Sequence, residues 1–384
     1  MERTRVLHVT QAIGDVSQTV GGVAVVMLDQ VAELVTAGFD VTVACPDLGG
    51  MPAEVAARGA TYLRWDAERE PGPSVVGEAR HLRTIVRDVD PDVVQLHSSK
   101  AGLVGRVVVR GRIPTIFMPH AWSFRHGEGS TTRSAVRSWE RWAARWTNVI
   151  LCVSDAERDA GIDAGITATY RVLSNTIDLE DPGLSLVEAR SQVLPEIGTD
   201  TPVVLCVGRL TAQKGQDILL HAWPQIRRRV PSARLVIVGS GPDGEALRAA
   251  APDDVIFIPA VPRTDVPVWT LAADVVAFPS RWEGQSIGVL ESLRLGRPVV
   301  VSDCEGMAEA LEGGRGSIVP IEDPPALAEA LVPFVADPSF AAREGREAAA
   351  AFTRIHGERR RRNLAHYRQL VAGLADQAIA SSAS

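Results

Sequence analysis

Short apolar runs alternate with longer amphipathic segments along almost the whole chain. Arg5–Thr10 (RVLHVT) is the first apolar run and predicts a strand. After a long loop expected over Gln11–Val20, Gly21-Gly22-Val23 opens a segment with apolar residues at helical spacing. That segment predicts a helix over Val23–Ala37, stopped by Gly38. Phe39–Cys45 (FDVTVAC) predicts the next strand. The same alternation predicts a strand at Thr61–Leu63, a helix at Val75–Asp88 and a strand at Asp92–His97. Helix Ala101–Arg110, strand Thr115–Met118, helix Thr132–Arg145 and strand Val149–Val153 follow. Repeated strand–helix–strand units predict a parallel sheet with helices on both faces.

A polar stretch near Asp178–Asp200 interrupts the pattern, which then restarts. Strand Val203–Val207, helix Gln216–Arg229, strand Ala233–Val238, helix Asp243–Ala250 and strand Val255–Pro259 are expected. A short helix near Val266–Ala272, strand Asp274–Phe278, a helix from about Ser286 to Leu295, strand Val299–Ser302, a strand at Ser317–Val319 and helix Pro325–Ala336 complete the set. The reading is α/β: two Rossmann-like, doubly wound domains, residues 1–180 and 181–354, facing an interdomain cleft. In such sheets ligands bind beyond the carboxyl ends of the strands. The tail Phe352–Leu374 predicts a basic helix, with Arg359–Arg362 in a run, packing across the domains.

Composition narrows the class. At 384 residues the chain is long enough for two cores. A net charge of −7 argues against a general nucleic-acid binder. The cysteines Cys45, Cys152, Cys206 and Cys304 lie far apart without metal spacing, and are expected to be reduced, buried thiols. No apolar run reaches the roughly 20 residues of a membrane span, and MERTRVLHVT enters a strand directly. A cytoplasmic protein is expected, with peripheral contact at the inner face of a membrane left open.

The chemistry concentrates in residues 278–303, FPSRWEGQSIGVLESLRLGRPVVVSD. A strand end, a loop with Glu283 and Gly284, and a helix start at Ser286 make the layout that binds anions, because free N–H groups and the positive helix end point the same way. Glu283 and Glu291 would repel a phosphate but accept hydrogen bonds from sugar hydroxyls. Phosphate and polyol together are the chemistry of a sugar nucleotide. The loop Gly208–Gly215 (GRLTAQKG) also follows a strand and precedes a helix. Its Arg209 offers a planar fork and its Lys214 a point charge, a pair suited to a pyrophosphate, although a solvated loop would look the same.

Other candidates are less specific. Gly21-Gly22 would admit a ligand close to the backbone, but is not a dinucleotide fingerprint, and a flexible turn reads equally well. His120 and His97 stand at carboxyl ends of strands, where lone histidines are more often structural than catalytic. Lys100, after Ser98-Ser99, would greet an anionic acceptor or merely cap the surface. Trp139, Trp142 and Trp146 share one helical face among Arg133, Arg137, Arg141 and Arg145. They read as burial against the sheet, with an interfacial membrane helix as the alternative.

Taken together, these segments resemble the GT-B glycosyltransferases, specifically the retaining family 4 group. The resemblance runs through GGVAVVMLDQVAELVTAGFDVTVACP, VVQLHSSKAG, MPHAW, VGRLTAQKG and ADVVAFPSRWEGQSIGVLESLRLGRPVVVSD, and covers nearly the whole chain. It implies that the terminal helix, about 355–375, crosses back to the first domain. It implies that Arg209 and Lys214 bind the donor diphosphate with Gly21-Gly22 beneath it. Glu283 would hold donor-sugar hydroxyls, and the backbone of Gly284, Gln285, Ser286 and Ile287 would meet phosphate and sugar. Glu291 would hold the ribose, a backbone group near Val261 would read the base, and His120 would contact the sugar or support its transfer. The chain departs from the family's Phe-Gly at Gln285-Ser286 and from its Glu-Ala at Glu291-Ser292, which bears on sugar preference more than on phosphate binding.

The implied activity is metal-independent, retaining transfer of a sugar from a UDP- or GDP-linked donor, without a cofactor. The acceptor would be a lipid-linked saccharide in polysaccharide assembly or a small secondary metabolite. Two rivals remain at this point. A GT-B epimerase would convert donor without acceptor, and a sugar-nucleotide binding module would bind without turnover. A pyridoxal-dependent phosphorylase is disfavoured, since Lys100 and Lys214 are the only lysines and neither has such a context.

Overall fold

A computed structural model of the chain describes residues 3–11, 21–48, 50–68, 72–125, 130–311 and 316–382. Most of the stretch Gln11–Val20 therefore lies outside the described residues. The chain divides into two units. Described residues up to 175 and from 359 onward form the first, and residues 176–358 form the second.

The first unit is a seven-stranded, all-parallel sheet. Its strands are β1 (Arg5–Thr10), β2 (Asp40–Cys45), β3 (Thr61–Arg64), β4 (Val93–His97), β5 (Thr115–Met118), β6 (Val149–Cys152) and β7 (Tyr170–Val172), in the spatial order β3-β2-β1-β4-β5-β6-β7. The order reverses between β1 and β4, which pair from Val6↔Val93 to Thr10↔His97. At such a switch point the flanking connections diverge and leave a crevice at the carboxyl edge. The central strands are nearly continuous runs of buried residues because both sheet faces are covered there, while the edge strands β3 and β7 are partly exposed. Leu7, Val9, Leu96, Phe117 and Ile150 form the centre of the core. The helix Gly22–Thr36 buries Ala24, Met27, Leu28, Val31 and Leu34, the three-to-four spacing seen in its sequence.

The second unit repeats the plan with six parallel strands. These are β8 (Val203–Val207), β9 (Arg234–Val238), β10 (Val255–Ile258), β11 (Val275–Phe278), β12 (Val299–Ser302) and β13 (Ser317–Val319), ordered β10-β9-β8-β11-β12-β13. The switch point lies between β8 and β11. Trp223, Leu219 and Ile226 of the helix Gln216–Arg229 pack with Leu331 of the helix Pro324–Ala336 and with Leu235, Ile237 and Val300 of the sheet.

The polar stretch near Asp178–Asp200 contains a helix, Leu186–Val193. Ser185 and Glu188 close a capping box at its start, satisfying two otherwise free amides. Arg190 anchors it. The buried guanidinium donates to the carbonyls of Ala272, Thr199 and Thr201, and pairs with Asp274 at 2.9 Å. The helices Met51–Ala57 and Asp155–Asp163 and the strand β7 are further elements that the periodicity did not predict. The terminal helix is longer than expected, running from Pro338 to Ser382, with residues 338–358 in the second unit and the remainder in the first.

Candidate functional site

The switch point of the second unit brings together Arg209, Lys214, Glu283 and the stretch Gly284–Ile287, whereas Gly21 and Gly22 belong to the first unit and Val261 follows β10. Past β8 the chain runs through Gly208 and Arg209 to a 3-10 turn, Ala212–Lys214, and then into the helix Gln216–Arg229. Past β11 it runs through Pro279–Gln285 into the helix Ile287–Arg294, with Ser286 as N-cap. Gly215, at φ +65°, lets the first loop lie against the second, since a Cβ there would come within 2.0 Å of the Pro279 carbonyl oxygen. Gly306, at φ +75°, does the same beneath the Glu283 loop, where a Cβ would sit 1.5 Å from the carbonyl oxygen of Gly284.

Side chains lock the two loops together. Arg281 takes Asp217 in a bidentate pair at 2.9 and 2.7 Å, adds Glu322 at 2.8 Å and donates to the Ala212 carbonyl at 2.8 Å. The bond from Arg281 holds the Asp217 carboxyl below its ordinary value, and that from Asp217 raises the guanidinium. The Arg281 amide also donates to the Gln213 carbonyl at 2.8 Å, and the Gln213 side chain to the Trp282 carbonyl at 3.1 Å. Sequence reading missed Arg281, because its partner Asp217 lies 64 positions away and neither residue breaks a pattern.

On this frame Lys214 Nζ and Glu283 Oε1 form an ion pair, and Ser280 Oγ donates to the same carboxylate oxygen at 3.0 Å. Glu283 is buried and oriented by two donors from opposite loops. Among the described residues the Arg209 guanidinium makes no hydrogen bond or ion pair, and the Arg209 carbonyl is held by Gln216 Nε2 at 3.0 Å. A fixed backbone thus carries a guanidinium fork with five N–H donors. Ser286 makes no side-chain cap, so the amides that open the helix Ile287–Arg294 are likewise available.

Glu291, one helical turn further on, is buried and paired with Arg263. Burial raises its carboxyl above the ordinary range, against the opposing pull of Arg263. Arg263 was not expected at this site. It opens the 3-10 turn Arg263–Asp265 that follows Val261, so the segment expected to read a base also supplies the counter-ion of Glu291. Ser292 donates to the Gly288 carbonyl at 2.8 Å, so its hydroxyl is spent within the helix.

The switch point of the first unit is built from histidines. His8 Nδ1 lies 3.0 Å from His97 Nε2, and His97 Nδ1 lies 3.0 Å from His120 Nε2, with the rings stacked. His120 and Ala121 both have positive φ, 55° and 96°, which costs energy for side chains with a Cβ. Glu157 holds that turn. Its carboxylate accepts from the Ala121 amide at 2.5 Å and from the Val153 amide at 2.8 Å, and its carbonyl accepts from Trp122 Nε1 at 2.7 Å.

The two weaker candidates are enclosed by the protein itself. His97 is fully buried between His8 and His120. Lys100 is 1 % exposed and its ammonium meets Glu78 at 2.7 Å, so its charge is neutralised inside the unit. Gly21 is the N-cap of the helix Gly22–Thr36 in an extended conformation that any residue adopts. The tryptophan face is only partly buried. Trp142 is 42 % exposed and meets Trp146 edge-on, with Arg145 over its ring. No helix among the described residues is long and apolar enough to cross a membrane.

Comparison with known proteins agrees with this geometry. The sequence profile of Glycosyltransferase Family 4 matches residues 20–181, and that of Glycosyl transferases group 1 matches residues 201–337. The GDP-mannose-dependent alpha-(1-6)-phosphatidylinositol monomannoside mannosyltransferase of Mycobacterium tuberculosis is 31 % identical over 338 residues, which cover 82 % of this chain and 85 % of that protein. The enzyme of the same name from Mycolicibacterium smegmatis is 38 % identical over 172 residues, 41 % of this chain and 45 % of that one. Among solved structures, sucrose-phosphate synthase from Thermosynechococcus elongatus matches with a TM-score of 0.80 at 19 % identity, over 97 % of this chain and 100 % of that one. At that identity the likeness speaks for the fold, the paired Rossmann-like units of the GT-B class. Two profile matches along the chain and a relative aligned over four-fifths of it lead to one conclusion: the chain is a glycosyltransferase and belongs to family 4, within the glycosyl transferases group 1.

Proposed function

We propose that the enzyme transfers a sugar, mannose first among candidates, from a nucleoside diphosphate to a hydroxyl of a lipid-linked acceptor, with retention and without a metal. The observation that carries this reading is the grouping of Arg209, Lys214, Glu283, Glu291 and an uncapped helix start at one switch point. GDP is the first donor to test because the Mycobacterium tuberculosis relative is named for GDP-mannose, and a lipid-linked acceptor follows from the same name. UDP donors and small hydroxylated metabolites are the next to be screened.

In this reading Arg209, Lys214 and the amides of Ser286 and Ile287 take the diphosphate. They stabilise the negative charge that grows on it as the anomeric carbon–oxygen bond breaks, which is the role a metal would otherwise fill. Glu283 accepts hydrogen bonds from sugar hydroxyls, Glu291 from the ribose, and the backbone beside Val261 meets the base. His120 accepts a hydroxyl of the sugar being transferred. The acceptor oxygen bonds to the anomeric carbon on the face that the diphosphate leaves, and its proton passes to a departing phosphate oxygen. Glu283 is a binding group here, not a nucleophile.

Thermal shift against GDP, UDP, ADP and their sugars, with and without chelator, tests the donor. A ligand at a hundredfold its Kd adds about 2.7 kcal/mol of stability. Glu283→Gln and Lys214→Ala are expected to lower transfer roughly 10²–10³-fold with the fold intact, the scale of losing one charge-stabilising group. Wild-type turnover in both, or no stabilisation by any nucleotide, would overturn the reading.

A further inference from the structure

The histidine row of the first unit continues inward. Tyr367, on the terminal helix, lies with its hydroxyl 3.3 Å from His8 Nε2 and donates to Gln95 Oε1 at 2.6 Å. Gln95 Nε2 donates to Gln30 Oε1 at 2.8 Å. Both amide nitrogens, Gln30 Nε2 at 3.7 Å and Gln95 Nε2 at 3.9 Å, face the sulfur of Met118. Five side chains from four separate elements thus join a strand-end histidine to a thioether in the core.

We propose that this is a one-way hydrogen-bond chain, polarised by the Met118 sulfur, that fixes His120 as its Nε2–H tautomer and keeps its Nδ1 lone pair for a substrate hydroxyl. Gln30, Gln95, Tyr367, His8 and His97 are then positioning residues for His120. The assignment of His120 to a substrate hydroxyl rests on the function proposed above.

The polarity follows from counting hydrogens. A thioether has none to give, so it can only accept, and the amide groups turned toward it are nitrogens. Gln30 therefore presents oxygen to Gln95, and Gln95 presents oxygen to Tyr367. The tyrosine hydroxyl spends its single hydrogen on that oxygen and must accept from His8 Nε2–H. A neutral imidazole has one donor and one acceptor nitrogen. His8 Nδ1 consequently accepts from His97 Nε2–H, and His97 Nδ1 accepts from His120 Nε2–H. Reversing any link would leave two donors or two acceptors face to face in a buried site, where an unmade hydrogen bond is costly.

At the far end, His120 Nδ1 has no partner among the described residues, and it is not among the buried unpartnered atoms. The strained turn at His120 and Ala121, pinned by Glu157, fixes where that ring starts. Burial also keeps the row neutral. His8 and His120 are held down to about 3, and His97 well below its ordinary value by burial and by its two histidine neighbours.

Imidazole nitrogen spectra of the full-length protein, labelled with ¹⁵N-histidine, test the chain directly. His8, His97 and His120 are expected as neutral Nε2–H tautomers, by at least about tenfold over the alternative, the ratio one net hydrogen bond supplies. A His120 in the Nδ1–H form, or an even mixture, would overturn the proposal. Tyr367→Phe removes the acceptor of His8, and Met118→Leu removes the polarising sulfur at nearly constant volume. Each is expected to raise the Nδ1–H fraction of His120 and to lower transfer kcat/KM in proportion, with the Tm shift of Met118→Leu small. Unchanged tautomers in both variants would defeat the polarity argument. The expected spectrum in a protein that turns over no sugar nucleotide would instead sink the transfer reading and leave the chain standing.

Discussion

At the scale of single residues, the proposed donor site depends on groups whose neighbours have already been provided for. Glu283 is held by Lys214 and Ser280, Glu291 by Arg263, and the loops beneath them by Arg281. The charged residues Arg209, Lys214 and Glu283 were legible in the sequence because charges on a Gly-bearing loop after an apolar strand stand out, and Glu291 because it follows Glu283 by eight positions along the helix behind that loop. Arg281 and Arg263 were not. Both are surface-type residues in loops, and only the fold reveals what they grip. Gly306 is a similar case. A Cβ at Gly306 would sit 1.5 Å from the Gly284 carbonyl oxygen, at a backbone φ that L-residues rarely adopt. Gly306→Ala is therefore expected to lose at least the roughly 1–2 kcal/mol of the left-handed conformation and to weaken nucleotide binding by displacing the Glu283 loop. Calorimetric unfolding and nucleotide titration check it. A variant that matches wild type in both would show that the loop does not transmit the strain.

At the scale of elements, the doubly wound plan was legible because strands buried on both faces read as unbroken apolar runs, with helical periodicity between them. Most boundaries moved by a residue or two, as helix ends commonly do, but the helix Ser98–Val109 starts three residues earlier than expected and the terminal helix is far longer. What failed was the stretch between the two sheets. Ser185-Leu186-Val187-Glu188 carries a capping box, a start signal with a mechanism, inside a stretch whose prolines and acids read as merely polar. The helix Leu186–Val193 owes its place to Arg190, whose buried guanidinium serves three carbonyls and Asp274. Arg190→Ala is expected to cost about 3 kcal/mol, the lower end for orphaning one member of a buried pair. The Val203 amide, which still donates to Asp274 at 2.7 Å, keeps the loss from being larger. Urea unfolding measures it, and a loss under about 1 kcal/mol, typical of a surface pair, would contradict the burial argument. The buried polar network of the first unit was visible only as isolated oddities. His8 interrupts VLHV, Gln95 interrupts VVQLH, and Gln30 lies on the apolar face of its helix. Polar residues at core positions of several elements are a signal when taken together, and each alone passes for noise.

At the scale of the whole molecule, the stability should respond to acid through the same histidines. Their folded-state values lie below the 6.5 of an unfolded chain, about 3 for His8 and His120. Between those limits the unfolded state binds protons that the folded state refuses, so stability falls as pH drops below about 6.5. The slope is about 1.4 kcal/mol per pH unit for each histidine. Glu291, raised by burial, acts in the opposite direction. A Tm that declines from pH 6.5 to pH 4.5, and declines less steeply in His8→Gln than in wild type, is the expected result. A flat profile would mean that the row is hydrated and titrates freely.

The terminal helix has a consequence for the order in which the protein is made. Residues 176–358 carry the second unit, and they leave the ribosome as one stretch. The first unit is completed last, because its first strand holds His8 and the Tyr367 hydroxyl beside it comes 359 positions later. At about 5–20 residues per second, that separation is roughly 20–70 s of synthesis. During this interval a sheet already translated carries buried-type polar groups with no partner, while the sheet translated after it closes first. Chains truncated shortly before Tyr367 and released from the ribosome should show protease resistance across 176–358 and sensitivity in the first 175 residues. Equal resistance in both would mean that the first sheet closes without its last helix. If the asymmetry holds, translation of this enzyme runs opposite to its assembly, and the half synthesised first is the half most in need of a chaperone.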